Sequence, residues 1–155
     1  MAITYPQPCI LLVEDEPNDV FLIQRAFNKA NLLPALQTVS DGEQAIAYLS
    51  GQESYADRER FPMPRLILLD LKLPRKSGLE VLSWLRTQNG PHKRVPVIML
   101  TSSRQASDIN RAYDLGANSY LVKPVAFEDL LEMVRSLNLY WLVMNERPEE
   151  ENYKG

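Results

Sequence analysis

Short apolar runs alternate with amphipathic stretches along the 155-residue chain. The first run is ILLV (10–13). From Pro17 to Ala30, apolar Val20, Ile23, Phe27 and Ala30 recur at three- and four-residue spacing, which predicts a helix with one buried face. Pro17 suits the first turn of that helix, with Glu16 or Asp15 as its cap. ALQTV (35–39) predicts a weaker strand ended by Ser40, Asp41 and Gly42, and EQAIAYL (43–49) a short helix. Residues 50–65 are polar, charged and proline-bearing and predict a long exposed loop. LILLD (66–70) is a strand apolar on both faces, followed by the turn PRKSG and a helix over 79–88. VPVIML (95–100) predicts a fourth strand, and 106–116 a helix closed by Gly116. SYLV (119–122) predicts a fifth strand. The last helix starts near Phe127 and carries Phe127, Leu130, Leu131, Val134 and Leu137 on one stripe.

Five alternations of strand and helix predict a parallel sheet with helices on both faces, in one domain. The totals agree, with 45% apolar and 24% charged residues in a chain long enough for an unstapled core. A net charge of −3 gives no electrostatic case for nucleic acid, and no apolar run approaches the length of a membrane span. MAITYPQPC lacks the features of a secretory signal, so the expected compartment is the cytoplasm. Cys9 is the only cysteine, which excludes an internal disulfide and predicts a small core side chain. His92, the only histidine, lies among turn formers and reads as a solvated loop residue.

In open parallel sheets, ligands bind beyond the carboxyl ends of the strands. There the chain places Glu14-Asp15, Asp70, Thr101-Ser102 and Lys123. Taken singly, an Asp after a strand is a cap or turn residue and a Lys before Pro is solvated. If the four strands are neighbours, however, three carboxylates, a hydroxyl and an ammonium share one pocket. Carboxylates so close repel one another, and a hard divalent cation such as magnesium relieves that repulsion. Asp70 is then kept ionised as a nucleophile, with Lys123 and Thr101 set to receive the oxygens of a phosphoryl group.

VEDE, LLDLKLPRKSG, LTSS and SYLVKP, in this order and spacing, resemble the receiver domains of bacterial response regulators, the CheY-like family. The resemblance spans about residues 8–136. It implies a flavodoxin-like, doubly wound five-stranded sheet of order 2-1-3-4-5. It further implies that Asp70 accepts a phosphoryl group from a phosphohistidine of a sensor histidine kinase. Mg2+ is then held by Glu14 (through water), Asp15, Asp70 and the backbone carbonyl of Lys72. Lys123 contacts the phosphoryl oxygens, its bond to Pro124 is cis, Thr101 swings toward the group, and Tyr120 rotates inward behind it. Ser77 stands where many relatives carry Asp. Lys72 and Ser103 occupy positions that in the family tune loss of the phosphoryl group. The 50–65 loop, the extended tail and YWLV further resemble single-domain response regulators that partner cyanobacterial and bacterial phytochromes.

Residues 137–155 form the extension. LNLYWLVM (137–144) is apolar at every position but Asn138, so an extended C-terminal helix there needs burial all round. Either the chain folds back on its own domain, or 139–144 runs as a strand or extended arm, or Tyr140, Trp141, Val143 and Met144 pack against a twin in a homodimer. The tail 145–155 is charged.

The expected function is a phosphorylation-switched signalling protein that binds other proteins and carries no DNA-binding output. Two alternatives compete with it. One is an Mg2+-dependent phosphatase or phosphotransferase with an aspartyl-phosphate intermediate, which would want an acid/base where Lys72 stands. The other is a degenerate receiver used only for binding, against which the retained Glu14, Asp15, Asp70, Thr101 and Lys123 argue.

Overall fold

The computed structural model describes residues 8–148, so residues 1–7 and the distal part of the charged tail, 149–155, lie outside the described residues. Five strands, β1 (Cys9–Val13), β2 (Ala35–Val39), β3 (Leu66–Leu69), β4 (Val97–Thr101) and β5 (Ser119–Val122), pair in parallel in the order β2-β1-β3-β4-β5. The expected doubly wound sheet is therefore present. Every residue of β1, β3 and β4 is buried, whereas β2 and β5 form the less buried edges. The difference in burial explains why ALQTV reads as the weaker run.

The period-2 pleat sorts each central strand between two cores. Leu11, Val13, Ile67, Leu69, Val97 and Met99 join one cluster with α2 (Gly42–Ser50), α3 (Gly78–Arg86) and α4 (Ala106–Asp114). Ile10, Leu12, Leu66, Leu68, Ile98 and Leu100 join the other, with α1 (Pro17–Lys29) and α5 (Phe127–Leu137). Cys9 is buried, as its setting predicts. The expected stripe on α5 buries Leu130, Leu131, Val134 and Leu137. Phe127, half-buried, packs beneath Arg25 and Lys29 of α1 at 4.8 and 5.6 Å from its ring centre.

Local chemistry sets the helix starts. Glu16 caps α1 through the Asn18 amide, with Pro17 in the first turn. Asp41 caps α2 through Gln44 N–H at 2.7 Å. Ser77 opens α3 with a reciprocal capping box: Glu80 N–H donates to its hydroxyl and its own N–H donates to Glu80. Gly116 follows α4 with φ 106, a conformation that favours glycine.

Three expectations need correction. First, residues 50–65 are not simply an exposed loop. A 3₁₀ turn at Glu53–Tyr55 brings Tyr55 and Phe61 into an aromatic cluster with buried Tyr48, with ring centres 5.1–5.9 Å apart. Arg58 donates to the carbonyls of Tyr48, Leu49 and Phe61, so it closes the end of α2 and pins the segment to it. Second, His92 is half-buried and stacks on Trp84, 6.1 Å between ring centres.

Third, residues 139–144 form neither a strand nor an extended arm. They continue α5 as a π-helix, Asn138–Met144, in a stretch without Gly or Pro to stop it. Trp141 and Leu142 are half-buried and pack against the α1/α5 core. Leu139, Tyr140, Val143 and Met144 are exposed. Among the described residues, no helix is long and apolar enough to cross a membrane.

Arg58→Ala removes three charge-assisted bonds, to the carbonyls of Tyr48, Leu49 and Phe61. It is expected to cost about 2 kcal/mol in urea unfolding and to make the 50–65 segment the first site of limited proteolysis. Unchanged stability and cleavage would show that the segment is held by its aromatic contacts alone.

Candidate functional site

Ladder bonds that continue past the strand ends carry the polar residues into one place. Glu14 N–H donates to Val39 O, Asp70 N–H to Val13 O and Lys123 N–H to Thr101 O, at 3.1, 3.1 and 2.8 Å. Adjacent strands thus hold these residues side by side through backbone bonds, independently of what their side chains do.

Glu14, Asp70 and Thr101 are buried, and Asp15 is exposed. One carboxylate oxygen from each of Glu14, Asp15 and Asp70 lies within 4.8 Å of the others. The Lys123 ammonium reaches Glu14 Oε2 at 2.6 Å, Asp19 Oδ2 at 2.8 Å and Asp70 Oδ2 at 3.2 Å. Backbone amides satisfy two further carboxylate oxygens. Leu71 N–H donates to Asp70 Oδ1 at 2.7 Å and Glu16 N–H to Glu14 Oε1 at 3.1 Å. A pocket of about 330 Å³ opens beside Asp70, lined by Lys72, Thr101 and the Ser102–Gln105 turn.

Burial pushes the Glu14 carboxyl up to about 7, against the Lys123 bond that lowers it, and the charge on Asp70 adds to the rise. Burial alone would lower Lys123, but bonds from Asp19 and Glu14 and the nearby charge of Asp70 hold it well above its ordinary value. The ammonium is therefore a fixed cation among acids. The three-carboxylate set is all hard oxygen, the donor type that suits a hard divalent cation.

Thr101 and Tyr120 connect the pocket to the sheet. The Thr101 hydroxyl accepts from Ser103 N–H at 3.4 Å. Tyr120, packed on the α2/α3/α4 core, donates its hydroxyl to the Ser103 carbonyl at 3.0 Å. The Ser103 hydroxyl in turn bonds Asp108 of α4 at 2.6 Å. One turn thus links the pocket hydroxyl, the β5 tyrosine and the first turn of α4.

The structure brings Glu14, Asp15, Asp70 and Lys123 together and places Thr101 and Lys72 on the same pocket as Asp70. Tyr140, Val143 and Met144 belong to the C-terminal extension, not to this pocket. The Lys123–Pro124 bond, expected cis, is trans, as is every peptide bond among the described residues. Trans is the intrinsic preference of such bonds, and from it Lys123 reaches the carboxylates of Glu14, Asp19 and Asp70. Asp19 was missed from sequence. Its position in the first turn of α1 looks like an ordinary complement to the helix N-terminus. Only its distance from Lys123 gives it a second role.

A cluster of acids at the carboxyl edge of a parallel sheet, met by a lysine from the end of the last strand, marks a receiver-type acidic pocket on a flavodoxin-like fold. The chain belongs to the response regulator receiver domain family, whose model matches residues 10–135. It is 40% identical over 139 residues to the probable methanogenesis regulatory protein FilR2 of Methanothrix harundinacea, covering 90% of this chain and 86% of that one. It is 41% identical over 137 residues to the response regulator Rcp1 of Synechocystis, covering 88% and 90%. Among solved structures, the phosphorylated cyanobacterial phytochrome response regulator RcpA superposes with TM-score 0.83 at 38% identity, over 92% of this chain and 99% of that one. The Mn2+-bound form of Rcp1 gives TM-score 0.79 at 38% identity, over the same shares, 92% and 99%. The protein is a response regulator receiver related to those of phytochromes.

Gly78 shows how closely the site is built. A Cβ there would run into the backbone carbonyl of Asp70, and Gly78 N–H donates to Leu71 O at 2.8 Å. Gly78→Ala is expected to cost about 2 kcal/mol in chemical unfolding, because backbone must move. An unchanged midpoint would contradict that packing.

Proposed function

We propose that Asp70 is the phosphoacceptor of a signalling switch, charged by a phosphohistidine of a sensor histidine kinase. The observation that carries this reading is the Asp70 carboxylate, 7% exposed yet open to the pocket, held by Leu71 N–H and facing the Lys123 ammonium. An Asp70 oxygen attacks phosphorus, the new O–P bond forms as the P–N bond breaks, and the electron pair returns to the imidazole. Lys123 neutralises the phosphoryl oxygens and Thr101 donates its hydroxyl to one of them. Glu14 (through water), Asp15, Asp70 and the Lys72 carbonyl would hold Mg2+, which would supply positive charge to offset that of the carboxylates and the incoming anion. The protein performs this transfer and the later loss of phosphate on itself and turns over no separate substrate.

The same reading makes Thr101 and Tyr120 the switch. A hydroxyl drawn to the phosphoryl group leaves the Ser103 turn, and the bond from Tyr120 to that turn carries the change toward α4. Kinship with Rcp1 and RcpA supports a phytochrome-type kinase as partner and a cytoplasmic setting. Residues 8–136 form the receiver and 137–155 the extension. The exposed Tyr140, Val143 and Met144, with Leu139, support a homodimer through that extension.

Intact-mass measurement after incubation with phosphoramidate is expected to show one phosphoryl adduct in Mg2+, none with chelator and none in Asp70→Asn. An adduct that persists in Asp70→Asn would move the acceptor elsewhere. Lys123→Ala is expected to retain some adduct but lose phosphorylation-dependent partner binding, measured by pull-down with the cognate kinase output partner; normal binding would remove Lys123 from the switch. Val143→Asp is expected to shift the sedimentation profile from dimer to monomer, and an unchanged profile would sink the dimer.

A further inference from the structure

The Lys123 ammonium has three hydrogens, and each has a carboxylate oxygen in reach: Glu14 at 2.6 Å, Asp19 at 2.8 Å and Asp70 at 3.2 Å. A phosphoryl group on Asp70 brings new anionic oxygens to the same cation. The Asp70 hydrogen can pass to one phosphoryl oxygen, but a second phosphoryl oxygen on the ammonium must displace Glu14 or Asp19, and these two are not equal. The side chain of Glu14 is 1% exposed and that of Asp19 33%. Releasing Glu14 would strand a buried carboxylate oxygen with no water to replace the lost bond. Asp70 carries the group itself. Asp19 sits in the first turn of α1, where solvent and the helix N-terminus both stabilise a freed carboxylate.

We propose that Asp19 is a positioning residue that holds Lys123 in the unphosphorylated pocket and competes with the phosphoryl group for its ammonium. The inference rests on Asp70 being the phosphoacceptor. Removing the Asp19 charge acts twice in the same direction, since it weakens one bond to the ammonium and takes a negative charge away from an incoming anion. The bond joins residues 104 positions apart, from the first turn of α1 to the end of β5. When the phosphoryl group wins the ammonium, that tie is lost, and the start of α1 registers the state of Asp70.

The test compares the full chain with Asp19→Asn and Asp19→Glu, using beryllofluoride as a phosphoryl mimic at Mg2+ saturating each protein. Affinity is read from the bound 19F NMR signal, with thermal unfolding of the mimic-free forms alongside. Asp19→Asn is expected to bind the mimic about fivefold more tightly than wild type, the factor lost with one partly exposed ion pair. Asp19→Glu keeps the carboxylate and is expected to match wild type. A merely structural Asp19 would lower the unfolding temperature of the Asn variant and leave mimic affinity alone, and that result overturns the proposal. Weaker binding by Asp19→Asn overturns it as well. If wild type takes neither the mimic nor a phosphoryl group on Asp70, the acceptor assignment falls, and the competition falls with it.

Discussion

Burying acids at the ends of strands is the constraint on which the rest of this molecule turns. Glu14 and Asp70 are almost wholly withdrawn from water, side by side, on neighbouring strands. Two such carboxylates would repel each other and be driven to neutrality without a compensating cation. Lys123 supplies it from the end of β5, two places from β3 and three from β1 in the sheet, with Glu14, Asp19 and Asp70 all within reach of its ammonium. The backbone ladder makes this tolerable: each residue is placed by main-chain bonds before its side chain is charged. The sheet therefore holds in place a charge arrangement that the isolated side chains would not adopt.

That arrangement is incomplete in a useful way. One ammonium is shared among three acids, and any new anion or cation entering the pocket changes how it is shared. A divalent cation suits Glu14, Asp15 and Asp70, two of which the lysine now serves, and an anionic group suits the lysine itself. The turn at Ser102–Gln105 is the natural place for the consequence to appear. It lines the pocket, accepts Tyr120 through Ser103 and is bonded to α4 through Asp108. Coupling of this kind needs only two packings of one turn, biased by a few hydrogen bonds.

Much of this was legible in the residues. The central strands read clearly because burial on both faces demands unbroken apolar runs, as in CILLV and LILL. The pocket residues read clearly because each is polar at the carboxyl end of such a run. What the sequence hid depends on distance in space. Asp19 obeys the ordinary rule for a helix start, and its bond to Lys123 crosses 104 positions. Arg58 looks like one charge among many in a polar segment, yet it closes the end of α2. Trp141 sits in an octet apolar at all but Asn138, whose pattern cannot say which residues turn inward, and a π-helical turn decides it. The trans bond at Lys123–Pro124 likewise departs from what the family resemblance implies.

The most direct measurement is a crystal structure of the full chain grown with Mg2+ and beryllofluoride. Continuous density from an Asp70 oxygen to beryllium is expected, with Lys123 Nζ and the Thr101 hydroxyl on the fluorines and the metal against Glu14, Asp15 and Asp70. A mimic bound elsewhere, or a Lys123 still fully engaged with Glu14 and Asp19 beside an occupied Asp70, would contradict the shared-ammonium pocket.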